Sequence, residues 1–117
     1  MKLLVSITIK TNFEGFHHWP GAPIEVDFLK KPHRHLFYVE AKLPVAHDNR
    51  QLEFFMVKHF LNDAIADLYP TWELGERSCE MMCKEIGAKI TEKYGIQRGF
   101  SVSVSEDNEN AAIVEWQ

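Results

Sequence analysis

Cysteine is scarce in this chain of 117 residues: there are two, Cys79 and Cys83. They stand one helical turn apart, a spacing that excludes a disulfide framework and fits a reducing, cytosolic setting. Nothing approaches the apolar length of a membrane span. No block of like charge forms a tail, and the basic residues are scattered through a chain of net charge −4. Non-specific nucleic-acid binding by charge is thereby excluded, and neither nucleic acid nor membrane is an expected partner. There is no internal repeat, low-complexity tract or linker, so the expectation is one domain over residues 1–117. The opening MKLLVSITIKT lacks a small-residue cleavage site and reads as a first strand, not a signal peptide.

What the chain does have is clear periodicity. Leu3, Val5, Ile7 and Ile9 alternate with polar residues, which predicts a strand ending near Lys10. The stretch TNFEGFHHWPGAPIEVDFLKKP, punctuated by Pro20, Gly21, Pro23 and Pro32, reads as a long ordered loop. A second strand is predicted over about 34–45. From Gln51 to about Leu68 apolar residues recur at helical spacing, with Leu52, Phe55, Met56, Phe60, Ala64 and Leu68 as the stripe. YPTWELGER interrupts the pattern. A second helix should start at the N-cap Ser78 and stop at Gly95, burying Cys79, Met82, Cys83, Ile86 and Ile90. Phe100, Val102 and Val104 mark a third strand, DNEN a turn and AAIVEW a fourth strand. The order β-β-α-α-β-β predicts an α+β fold: an antiparallel four-stranded sheet with two helices on one face.

Chemistry concentrates in histidine. His33 and His35 are two residues apart at the start of the second strand, so both imidazoles share the face of Phe37, Val39, Ala41 and Leu43. They are either a satisfied polar pair or two ligands of a metal. A three-histidine site needs a further imidazole and leaves one position open to water or substrate. His17 and His18 follow the first strand, and the neighbouring strand brings either beside His33. His59 lies on the first helix and His47 in the loop before it; a lone histidine on a helix is more often structural than catalytic, and both are lesser candidates.

These residues resemble a family. Phe13-Glu14-Gly15-Phe16-His17, followed by His33-Arg34-His35, is similar to the F-x-x-x-H and H-x-H motifs of the 6-pyruvoyl-tetrahydropterin synthase / 6-carboxy-tetrahydropterin synthase family, which has the tunnelling fold (T-fold). Glu53 to Lys58 is similar to its D-F-x-x-L-K pattern, Ser78-Cys79-Glu80 to the start of its second helix, and Val104-Ser105-Glu106-Asp107 to its V-x-E-T. The resemblance implies a zinc-dependent lyase acting on a small-molecule reduced pterin such as 7,8-dihydroneopterin triphosphate. It implies zinc (Zn2+) on His17, His33 and His35, with Glu106 anchoring the guanidine-like edge of the ring. It also implies a cytoplasmic homo-oligomer, usually a hexamer. Lys30, Lys31 and Arg34 flank the H-x-H and are the basic groups available for a phosphate.

The pattern also breaks. The family's cysteine before H-x-H falls near Leu29, and its Asp-His pair falls on Leu68-Tyr69-Pro70. Substitutes for these proton-transfer groups are Cys79, whose place at a helix start favours a lowered thiol pKa, Asp27 and Glu25 in the loop, and Tyr69. A diverged protein that binds a pterin- or purine-like ligand without turning it over is the alternative.

Overall fold

Two long strands form the frame of the molecule, and a computed structural model describes all residues from 1 to 117. Strand β1 (Val5–His17) pairs antiparallel with β2 (His33–Val45) over their full length, from Val5 opposite Val45 to His17 opposite His33. Helix α1 (Phe54–Leu68), the short strand β3 (Glu73–Gly75) and helix α2 (Cys79–Tyr94) follow, then the hairpin β4 (Phe100–Glu106) and β5 (Asn110–Trp116). Between β1 and β2 the chain makes kinked 3₁₀ turns over Ile24–Lys30.

The sheet has five strands in the order β3-β1-β2-β4-β5, and β3 lies parallel to β1. This corrects the expected four-stranded antiparallel sheet. Three residues are too few to show an alternation, so β3 is defined by its partners alone. Phe16 N–H donates to the Trp72 carbonyl at 2.7 Å and His18 N–H to that of Gly75 at 2.9 Å. Gly15 makes room for it: a β-carbon there would run into the buried Leu74 side chain. β1 continues to His17 instead of ending near Lys10 because β2 pairs with it throughout and β3 holds its last two residues, Phe16 and His17, on the other edge.

Alternation sorts the faces. Phe37, Val39, Ala41 and Leu43 of β2 are buried against the helices together with Phe100, Val102 and Val104 of β4. Each such side chain contributes about 1.5–3 kcal/mol on leaving water. Helix α2 meets the sheet through Met82, Cys83, Ile86 and Ile90, as its spacing predicts. Helix α1 instead buries Val57, Leu61, Ala64 and Ile65, while Phe55 and Met56 of the predicted stripe are exposed. Apolar residues occur on both sides of this helix, so periodicity does not choose its inner face. Glu53 caps α1 by accepting from the N–H of Phe55 and Met56, which moves the helix start to Phe54. Ser78 caps α2 through Met81 N–H, and Gly95, at φ +69°, ends it. Gly87 lets α2 approach β5 closely, with the Trp116 indole where a side chain would stand.

Candidate metal centre

The register of three strands assembles the site. His17 lies opposite His33, Gly15 opposite His35, and Glu106 opposite Phe37. Odd positions of β1 and β2 and even positions of β4 all face the helices, so three imidazoles and one carboxylate meet at one end of that face. The ring centroids of His17 and His33 are 4.6 Å apart, and those of His33 and His35 are 5.2 Å apart. One ligand atom from each of His17, His33, His35 and Glu106 falls within 4.8 Å of the others, a group that could hold a metal ion. His18, one residue past the end of β1, is outside this group, although it lines the cavity into which the group opens.

The protons of the three imidazoles are placed by their neighbours. His17 Nδ1 is 2.8 Å from the Arg77 carbonyl, His33 Nδ1 is 2.8 Å from the Lys31 carbonyl, and His35 Nδ1 is 2.6 Å from Asp107 Oδ2. A carbonyl or an ionised carboxylate only accepts, so each neutral ring donates from Nδ1 and keeps a bare lone pair on Nε2. His17 Nε2 is buried without a hydrogen-bond partner, although Glu106 Oε2 is 2.9 Å away. His35 Nε2 is 3.6 Å from the same oxygen. Lone pairs facing a carboxylate at these distances repel unless a cation stands among them. Protonation of His17 is opposed by burial, which lowers its pKa more than the nearby Glu106 raises it. A metal ion fits the donor set, and the anchored Nδ1 atoms are the outer shell that metal-binding histidines commonly have. Asp107 holds His35 with one oxygen and the Leu36 N–H with the other, and these bonds hold its carboxyl below the usual carboxylate range.

The group opens into a cavity of about 680 Å³. Leu29 lines it, and Cys79 enters from the first turn of α2 in the same chain. The helix start does not lower the Cys79 thiol pKa as expected. Burial first, then the Glu106 charge, push it up to about 12.

No protein-family model matches the chain, and no curated protein does. Solved structures do. An uncharacterized protein from Wolinella succinogenes superposes with a TM-score of 0.71 at 12% identity, over 99% of this chain and 100% of that one. The 6-pyruvoyl tetrahydropterin synthase of Caenorhabditis elegans superposes with a TM-score of 0.64 at 12% identity, over 98% and 97%. This chain has the fold of a 6-pyruvoyl tetrahydropterin synthase.

Within the tetrahydropterin-synthase fold, the remaining candidates fall outside the cavity. Asp27 is exposed on the 3₁₀ segment and pairs with Lys30 at 2.9 Å. Tyr69 is buried; its hydroxyl donates to Glu85 at 2.9 Å, and its ring stacks on Phe13. Burial and Glu85 raise its pKa well above the phenol range. Glu25, His47 and His59 are exposed and apart from the histidine group. Arg34 points to the opposite face of β2, where it pairs with Glu14 at 2.5 Å. Arg77 and Asp107, which orient two of the histidines, carry no local signal: they are 60 and 72 residues from the rings they hold. Their partners come together only through the sheet.

Proposed function

We propose that this protein is a zinc-dependent lyase acting on a reduced pterin, with the metal held by His17, His33 and His35. The observation that carries the reading is the set of three Nδ1 anchors, which turn three Nε2 lone pairs toward one point, with Glu106 beside it. Three nitrogens with an open fourth position are the usual donor set of catalytic zinc. Bound zinc supplies polarisation of a substrate oxygen and acidifies the adjacent C–H.

The chain's own residues do the rest. Glu106 is a two-oxygen acceptor at the cavity wall, and a carboxylate there suits paired N–H donors of an amino-heterocycle. Cys79 faces the same cavity as Leu29, the position where the resembling enzymes carry their cysteine. A thiol pushed up to about 12 keeps its proton near neutral pH, which suits a proton donor better than a resting base. A homo-oligomer belongs to the same reading; β5 is an open sheet edge with Ile113 exposed on it.

A second reading is a binding protein on this scaffold that holds a pterin- or purine-like ligand unchanged. It is favoured by the commitment of Tyr69 to Glu85, which leaves the cavity with few proton-transfer groups. Native mass spectrometry of the zinc-loaded protein with 7,8-dihydroneopterin triphosphate and 7,8-dihydroneopterin separates the two. A converted ligand supports the lyase, and an intact bound ligand supports the binding protein. His35→Ala should lose the metal, and a full equivalent of zinc retained in that variant would sink both.

A further inference from the structure

We infer that the cavity is built for an unphosphorylated heterocycle, neutral or cationic, and that Glu76 and Glu80 discriminate against the phosphorylated form. The inference rests on the pterin reading above and deepens it by naming the substrate class.

It follows from which charges reach the cavity. Glu76, Glu80 and Glu106 line it, and Arg77 is the one lysine or arginine that does. That guanidinium is already committed: its Nε lies 3.0 and 3.2 Å from the two oxygens of Glu85, and its Nη1 donates to the Leu74 carbonyl at 3.2 Å. Glu76 and Glu80 are exposed and have no ion-pair partner in the chain. The basic residues beside the H-x-H do not compensate. Lys30 is paired with Asp27, Arg34 with Glu14 on the far face of β2, and Lys31 is outside the cavity lining. Apart from a bound metal ion, a triphosphate entering here meets the carboxylates of Glu76, Glu80 and Glu106 and no unpaired lysine or arginine of this chain.

The start of α2 also borders the cavity, and an unoccupied helix N-terminus attracts phosphate. Here it is partly used. The Ser78 hydroxyl accepts from Met81 N–H, and the Glu80 carboxylate sits in the first turn, where the helix dipole favours a negative charge. The floor of the cavity points to a bound cation with a ligand above it, because His17 Nε2 is buried, unpartnered and part of the lining. Glu106 is the carboxylate that recognises amino and ring N–H donors at the cavity wall, while the exposed Glu76 and Glu80 act on the ligand's charge alone.

The test is calorimetric titration of the full-length, zinc-loaded protein with 7,8-dihydroneopterin and with its triphosphate. The unphosphorylated compound should bind about tenfold tighter or more at low ionic strength, and salt should narrow the gap as it screens the carboxylates. In the double variant Glu76→Gln, Glu80→Gln the gap should shrink to about threefold or less, with affinity for the unphosphorylated compound little changed. Tighter binding of the triphosphate by the unaltered protein overturns the inference and leaves the pterin reading standing. So does a gap that the double variant does not alter. If neither compound binds, the pterin reading falls and takes the inference with it.

Discussion

The imidazole of His17 donates its Nδ1 proton to the backbone carbonyl of Arg77, 2.8 Å away and 60 residues later in the chain. This bond decides which nitrogen of a buried histidine is bare. Arg77 is itself held by Glu85, which also receives the Tyr69 hydroxyl. A chain of contacts thus runs from the core to the candidate metal centre, and Arg77 and Glu85 are positioning residues within it.

Breaking that chain should loosen the metal without unfolding the protein. Glu85→Ala frees the Arg77 guanidinium, and zinc affinity should fall about tenfold to a hundredfold. Competition with a chromophoric chelator measures it. Tyr69→Phe keeps the Arg77–Glu85 pair, so zinc affinity should stay within about threefold while stability drops by about 1 kcal/mol for the lost hydrogen bond. A large loss of zinc in Tyr69→Phe would mean that the hydroxyl acts on the site.

The metal-free protein should lose stability in mild acid. Burial lowers the His17 pKa below its ordinary 6.5, so as pH falls the unfolded chain takes up the proton first. The resulting cost is absent above about pH 6.5 and grows as pH falls from there toward the folded pKa. Asp107, held below 3.8 by His35 and Leu36, acts in the same direction at lower pH. Its stabilisation is present above 3.8 and disappears as pH falls through its folded pKa. Thermal melts of the metal-free protein at pH 7.5 and 5.5 should show the lower midpoint in acid, and His17→Gln should reduce the difference.

Both thiols should be sluggish toward alkylation. The Cys79 pKa is pushed up to about 12 and the Cys83 pKa to about 11, in each case chiefly by burial. The thiolate is the reactive form, so iodoacetamide at pH 8 should modify the folded protein at least about a hundredfold more slowly than the unfolded chain. A mass-spectrometric time course follows it. Rapid modification of Cys79 alone would show that the α2 start activates the thiol after all.

Gly87→Ala should be costly. A methyl group at this position meets the Trp116 ring, which is already stacked on Phe100 at 4.4 Å between centroids. Overpacking of this kind costs about 1–3 kcal/mol. A lower urea midpoint, followed by tryptophan fluorescence, is expected; an unchanged midpoint would mean that β5 shifts freely.

Much of the frame is legible in the sequence because it depends on short repeats. Alternation in β2 places His33 and His35 on the core face, and the same parity in β4 turns Glu106 inward. Ser78 and Gly95 mark both ends of α2 through local backbone chemistry. What escapes is what depends on partners. Strand β3 is too short to carry a pattern, and ending β1 near Lys10 overlooks its pairing with β2 and β3. The ambiguity between His17 and His18 follows from that error, since extending β1 puts His17 opposite His33 and leaves His18 beyond the strand. The exposure of Phe55 and Met56 has a similar origin: α1 is apolar on two sides, and packing alone selects one.

The sequence by itself determined which residue types could do chemistry, and on which face of its own element each would lie. Those properties follow from periods of two and 3.6 residues. Only the tertiary structure decided that three imidazoles and Glu106 meet at one point, beside a cavity whose lining holds no free lysine or arginine. That convergence depends on strand register and on three oxygens, from Lys31, Arg77 and Asp107, which each hold one ring nitrogen. Two of these oxygens come from distant segments, and no local repeat in a chain encodes contacts of that kind.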